Sequence, residues 1–298
     1  MAGRKQNAGI AAIGICALLA TFGLPAAGAS ATDRDDDARA RSIAFVRGTG
    51  VASGETPAAR WIDPVCPRVI GLREDATRAA EAIIRRVAAE AGAEVAPQGC
   101  NSNLVVTFTS DAAGLTREVY RLEPRQFSQV TRGHRESLLN GAQPIRWWYA
   151  AETRGRDGEG EREPGTSGQG IADNHGGMDV GYRFEGDTMR YDSSLISTYS
   201  QRALVAASVI VDLDSIMGMN LNAVAAYAAL VGLAEIRNPD FAPSGSILGL
   251  FNTSERPNGL TGQDRAFLRA LYRLPMDREA DRHRGGLIRD MSLASSGD

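Results

Sequence analysis

A run of sixteen residues in the last third of the chain restricts the possible folds more than any other feature. Leu221 to Ile236 reads LNAVAAYAALVGLAEI, with helix-forming apolar residues on every side of the predicted helix. Asn220 or Asn222 is expected to cap its start, and Asn238-Pro239-Asp240 ends it. A helix without a polar face has to be covered on all sides. The chain therefore has to fold in layers around this segment.

Helical and strand patterns alternate along the rest of the chain. Ala, Ile and Val recur every three or four residues over 73–92, which predicts an amphipathic helix. Runs rich in apolar and β-branched residues predict strands at 103–109, 145–153 and 203–213. The alternation indicates an α/β or α+β fold, as a single domain with a mixed sheet and the buried helix at its centre.

The first 31 residues have the pattern of a secretory signal peptide. Arg4 and Lys5 precede an apolar run that Pro25 ends, and small residues allow cleavage near Ala29 or Ala31. The alternative is a retained membrane anchor, although the run is short and only weakly hydrophobic. We expect a periplasmic or secreted protein, which contacts a membrane only if this segment stays uncleaved.

The remaining chain divides into two predicted parts. Residues 32–41 (TDRDDDARAR) are charged and predict a mobile leader, followed by one globular domain over 42–298. Ser42 to Arg47 is expected to form a first strand or a terminal arm. Within the domain, residues 154–190 form a predicted glycine-rich loop, with ten glycines between Gly155 and Gly186.

Two cysteines, Cys66 and Cys100, lie outside the predicted signal peptide. In an oxidising compartment an isolated pair forms a disulfide, and no thiol or imidazole lies close by in sequence to suggest a metal site. We therefore predict a Cys66–Cys100 bridge. Trp147 and Trp148 are adjacent on a predicted strand and should point to opposite faces, one into the core and one partly exposed.

Charge and dispersed polar residues say little about chemistry. The net charge of −3 gives no basis for nucleic-acid binding. His134, His175 and His283 are far apart in polar sequence and lack the spacing of a zinc site, so we expect them on surfaces or loops. Asp212 and Asp214 would share a strand face, where they could bind calcium if buried, but solvated carboxylates are the simpler interpretation.

The region from Asn222 to Tyr272 resembles the metzincin zinc peptidases. In that family H-E-x-x-H-x-x-G-x-x-H occupies a helix and turn, S-I-M forms a methionine-turn, and a closing helix ends in Leu-Tyr. The corresponding features here are a buried helix ending in Val-Gly-Leu, then Ser246-Ile247-Leu248, then Leu260-Thr261 with Asp264, then Leu271-Tyr272. Thr261 is also expected to cap the closing helix.

The zinc-binding residues of that family are missing from this chain. With Gly232 placed on the motif glycine, the two helix histidines correspond to Ala225 and Ala229, and the catalytic glutamate to Ala226. Glu235 then stands at the third ligand, and Leu248 replaces the turn methionine. Alanine has no lone pair for zinc, and one carboxylate cannot hold the ion alone. The resemblance therefore implies a metzincin-like scaffold without metal, cofactor or catalytic residues.

The whole chain also resembles secreted proteins of unknown function from alphaproteobacteria such as sphingomonads. The shared features are Cys66-Pro67 with Gly71-Leu72, Gly99-Cys100 with Asn103, and Ser246-Ile247-Leu248 with the L-T-x-x-D and L-Y pairs.

Three functions follow as hypotheses. The first is a non-catalytic protein that binds an unknown protein or small molecule in the cell envelope, with the loop 154–190 as the place to look for binding. The second is a hydrolase whose site joins His134 or His175 to Asp212, Asp214 or Glu235. The third is an envelope protein tethered by its uncleaved N-terminal segment.

Overall fold

The computed structural model describes residues 31–155, 198, 200–254 and 256–296. In these ranges the helices are α1 (Ala31–Thr49), α2 (Glu74–Ala91), α3 (Ala112–Leu122), α4 (Arg132–Asn140), α5 (Leu221–Leu233), α6 (Gly262–Arg273) and α7 (Ala280–Ser296). The strands are β1 (Arg60–Trp61), β2 (Pro67–Ile70), β3 (Leu104–Thr109), β4 (Ile145–Gly155) and β5 (Ser200–Asp212). Short 3₁₀ turns lie at Pro124–Phe127 and Ile247–Gly249. The predicted mixed α and β class is confirmed.

Strand β5 is the centre of a five-stranded mixed sheet. Strands β1 and β3 pair with it in parallel along one edge, and β2 continues the sheet beyond β3. Strand β4 pairs antiparallel with its other edge, from Ile145 opposite Val211 to Gly155 opposite Ser200. The parallel pair β2–β3 requires a crossover connection, which α2 provides.

Helix α5 is buried, as its apolar sequence predicts. Every residue from Ala223 to Leu233 is buried, and the helix contacts β4 and β5 on one side and α2 and α6 on the other. It is the central layer between the sheet and the outer helices, so its surface meets protein in all directions.

The first described helix corrects two predictions from the charged N-terminal sequence. Residues 32–41 are helical where a mobile leader was expected, and Ser42–Arg47 is neither a strand nor an arm. Ala38, Ser42, Phe45 and Val46 lie on one side of α1 and are buried, and α1 packs against α7. Charged residues on the remaining sides conceal this narrow apolar stripe in the sequence.

Both neighbouring tryptophans are buried, so the expected exposure of one of them is wrong. Trp147 faces the main core, whereas Trp148 faces the opposite side of the sheet. There α3, α4 and the first 3₁₀ turn build a second small core, and the Phe127 ring stacks on Trp148 with centroids 4.6 Å apart. Because these elements cover the second face, neither indole reaches solvent.

The predicted signal peptide and the predicted glycine-rich loop fall largely outside the described residues. The predicted signal peptide ends where the description begins, at Ala31. Of the predicted loop 154–190, Arg154 and Gly155 are described, and they belong to β4. No described helix has the length and apolar character needed to cross a membrane.

Candidate functional site

Helix α5 is packed tightly at the three alanines that the resemblance places at two zinc ligands and at the catalytic glutamate. Ala225, Ala226 and Ala229 are each at most 2% exposed. The small residues on this helix allow a close approach to the sheet, because a Cβ atom at Gly232 would lie 2.6 Å from Leu104 Cδ1. The alanines therefore fill the core of the protein and supply no group that could bind a ligand.

Buried aromatic side chains satisfy the C-terminal end of α5. The last carbonyl groups of a helix have no partners within the helix, and here no water can reach them. Indole and phenol groups from distant segments donate to three of them: Trp61 Nε1 to Gly232 O at 2.8 Å, Tyr149 Oη to Val231 O at 2.6 Å and Tyr272 Oη to Leu233 O at 3.0 Å. Trp147 Nε1 donates to Ile236 O, in the segment that follows the helix, at 2.9 Å.

The two tyrosines among these donors are protonated at physiological pH, as ordinary phenols are, and burial extends this state to higher pH. Burial raises the pKa of Tyr149 well above its usual value, and it also raises the pKa of Tyr272. Both phenols therefore stay neutral and remain hydrogen-bond donors at physiological pH. The Tyr149 oxygen in turn accepts a hydrogen bond from Ile236 N at 3.1 Å, which fixes the segment that follows α5.

Glu235, which the resemblance places at the third zinc ligand, is paired with two arginines. Its carboxylate forms two hydrogen bonds with Arg202 of β5, one of them 3.0 Å long from Nη2 to Oε1. Arg237 Nη2 donates to Oε2 at 3.0 Å. Glu235 is only 6% exposed, and both of its oxygens already accept charged hydrogen bonds. Metal binding by Glu235 would have to break this ion-pair network.

The turn that corresponds to the methionine-turn is held by the buried carboxylate of Asp264. Oδ2 accepts from Ile247 N at 2.8 Å, Thr261 N at 2.9 Å and Thr261 Oγ1 at 2.8 Å, and Oδ1 accepts from Ser246 Oγ. Burial raises the pKa of Asp264, against the opposing effect of these donors. The predicted cap is confirmed, since Thr261 and Asp264 form a capping box on α6.

The structure corrects the expected surface position of His283 and places His134 beside Trp147. His283 is buried on α7, where its Nδ1 accepts from Ala58 N at 3.0 Å and its Nε2 contacts Pro275 O at 2.9 Å. His134 lies on α4 with its ring edge toward Trp147. Burial lowers the pKa of both imidazoles, so both are neutral near pH 7. His175 lies outside the described residues.

The two aspartates after β5 do not share a strand face. Asp212 is the last residue of β5, and its Oδ1 accepts from Ser215 N and Ser215 Oγ, both at 2.9 Å. Asp214 lies in the turn that follows and is exposed. Among the described residues no group of three metal-binding side chains comes together. In this part of the chain, His134 and the two aspartates therefore do not form such a metal-binding group.

The predicted disulfide is confirmed between Cys66 and Cys100. It joins the residues just before β2 to those just before β3. The sequence did not predict the donors to α5 or the pairing of Glu235 with Arg202, because the partners in these contacts are remote from each other in sequence. A partial signal existed: a buried Tyr or Trp needs a partner for its polar atom, and a buried helix end offers carbonyl groups.

Comparisons with protein-family models, curated proteins and solved structures found no match to this chain. The likeness to metzincins and to secreted sphingomonad proteins accordingly rests on the residues quoted above.

Proposed function

We propose that this protein is a non-catalytic binding or scaffold protein of the bacterial cell envelope, built on a metalloprotease-like scaffold. The observation that carries the proposal is Glu235, the one potential ligand at the motif positions. Arg202 and Arg237 neutralise its charge and occupy both oxygens. In a zinc peptidase this position would have to keep a lone pair for the metal.

The packing of α5 supports the same proposal. A catalytic zinc ion needs an open coordination position for water, and that water needs a carboxylate to accept its proton. Ala225 and Ala229 are enclosed by the core, and Ala226 offers no carboxylate. Here the space of a metal site is taken by apolar packing, which stabilises the protein but performs no hydrolysis.

The turn at Ser246 and the closing helix have a structural explanation. Asp264 joins the turn at Ser246 to the start of α6 through four hydrogen bonds. These contacts stabilise the scaffold whether or not it is catalytic, and function on such a scaffold belongs to a separate site. We place binding of a protein or small-molecule partner in the region 154–190.

Zinc content tests the loss of the metal site. The purified protein is dialysed against stoichiometric Zn²⁺ and measured by elemental mass spectrometry, beside the Glu235→Gln and His134→Gln variants. We expect less than about a tenth of an equivalent in all three, since a structural or catalytic site binds close to one. About one equivalent in the wild type, lost in either variant, would overturn the proposal and make peptidase assays the next step.

The mature N-terminus tests the envelope location. Cleavage after Ala29 or Ala31 leaves intact the buried positions of α1 whose side chains the structure describes, from Ala38 onward. Intact mass of the protein from the periplasmic fraction should show a start at Ser30 or Thr32. An uncleaved chain in the membrane fraction would favour the tethered alternative.

A further inference from the structure

The two cysteines of the disulfide differ in exposure. Cys66 is 4% exposed and lies between buried neighbours. Cys100 is half-buried, and the residues around it in the loop, 97–99 and 101, are exposed. A thiol reagent or a partner protein therefore meets Cys100 at the surface of this loop, whereas Cys66 lies among buried residues.

An arginine also distinguishes the two sulfurs. Arg85 Nη2 lies 3.8 Å from Cys100 Sγ, and Arg85 Nη1 donates to Ala96 O at 2.6 Å. The second contact holds the guanidinium beside the sulfur from the middle of α2. When the disulfide is reduced, this positive charge favours the thiolate form of Cys100, which is the nucleophile in thiol–disulfide exchange.

The surrounding chain holds both cysteines in place without help from the disulfide. Val65 N donates to Glu94 O at 2.8 Å, and Ala96 N donates to Val65 O at 2.9 Å. Cys66 N donates to Asn103 Oδ1 at 2.7 Å. These bonds join both strand entries to the loop between them. Reduction would therefore leave the two sulfurs close together and ready to pair again.

We propose that Cys66–Cys100 is a reversible exchange site for a disulfide-bearing oxidoreductase, with Cys100 as the attacking sulfur, Cys66 as the resolving sulfur and Arg85 as the positioning cation. The Cys100 thiolate attacks one sulfur of the partner's disulfide, and the partner's other sulfur leaves as a thiolate. Cys66, after giving its proton to solvent, then attacks Cys100 Sγ and releases the partner's remaining thiolate. Two electrons pass from this pair to the partner, whose two thiolates take up protons from solvent.

Single-cysteine variants test the order of the two sulfurs, with oxidised glutathione as the probe. Cys66→Ser leaves Cys100 free, and Cys100→Ser leaves Cys66 free. The rate of mixed-disulfide formation is followed by intact mass in native buffer. We expect Cys100 to react at least about tenfold faster, because reaction requires access and thiolate character. Equal rates, faster reaction at Cys66, or reaction of neither without denaturant would overturn the proposal.

Arginine variants test the role of the charge in the Cys66→Ser background. Arg85→Gln should lower the rate at Cys100 about threefold at pH 7 and raise the half-maximal pH of the reaction by about one unit. Arg86→Gln is the matched control, since Arg86 is exposed on α2 and contacts Asn222 instead. An unchanged pH profile in Arg85→Gln would refute the charge effect.

Partial alkylation of the reduced wild type gives a second measurement that needs no cysteine variant. The protein is treated briefly with iodoacetamide in native buffer, and peptide mass mapping compares the two sites. A large excess of label on Cys100 supports the proposal, and equal labelling contradicts it.

Discussion

Asp264 is the most informative single position for testing how the scaffold is held together. Replacement by alanine removes the acceptor of four hydrogen bonds. The hydroxyls of Ser246 and Thr261 can rotate toward other acceptors, but the N–H groups of Ile247 and Thr261 cannot. Each N–H group left without an acceptor costs about 1–3 kcal/mol. Part of this loss is offset, because the variant no longer has to bury a carboxylate. We expect Asp264→Ala to lower the free energy of unfolding by about 3 kcal/mol.

Asparagine at the same position separates geometry from charge. Its carbonyl oxygen can replace Oδ2, which accepts three of the four bonds, and its amide can donate to Ser246 Oγ, reversing the fourth. We therefore expect Asp264→Asn to cost only about 1 kcal/mol, the value of one altered hydrogen bond.

Urea unfolding followed by tryptophan fluorescence measures these differences. A shift in the urea midpoint with an unchanged m-value reports a change in stability. Glu136→Ala is the control, because Glu136 is an exposed carboxylate on α4 and should leave the midpoint unchanged. The hydrogen-bond explanation is refuted if Asp264→Ala costs less than about 1 kcal/mol, or if asparagine is as damaging as alanine.

Three further perturbations test other contacts. Burial lowers the pKa of His283 in the folded state, and the positive charges of Arg278 and Arg60 add to this effect. Below about pH 6.5 the unfolded chain binds a proton at this histidine that the folded chain does not bind, so the free energy of unfolding should fall as the pH drops. The urea midpoint should therefore change less between pH 7.5 and 5 in His283→Gln than in the wild type. Gly71→Ala should destabilise the protein by more than about 3 kcal/mol, since φ at this position is +90° and the new Cβ would lie 1.9 Å from Phe108 O. Gly54→Ala is the comparison: φ is +59° with open space around it, so the same thermal or urea assay should show a loss of about 1 kcal/mol. Glu235→Gln should cost about 2–3 kcal/mol by leaving two guanidinium groups without their carboxylate, and an unchanged midpoint would contradict the pairing.

Local patterns predicted the features that depend on few residues. An apolar residue on every side of α5 requires burial whichever elements cover it. The capping box of α6 needs only Thr261 and Asp264, three residues apart. Strand β5 was predicted at 203–213 from its β-branched run and is observed at Ser200–Asp212. In each case the pattern that determines the feature lies within a single helix or strand.

The features that the sequence did not predict depend on contacts between elements that are far apart in the chain. The buried stripe of α1 is too narrow to stand out among charged residues, and α7, which covers it, lies at the other end of the chain. The exposure of Trp148 depended on whether anything covers the second face of the sheet, and α3 and α4 do so.

The sequence by itself therefore determined the layered α and β class, the central buried helix and the pairing of Cys66 with Cys100. Only the tertiary structure decided that Glu235 is matched by Arg202 and that aromatic side chains close the end of α5. The physical reason is the distance along the chain. Hydrogen bonds and ion pairs form between whichever polar atoms packing brings together, and hydrophobic patterns specify which faces are buried but not which partners they meet.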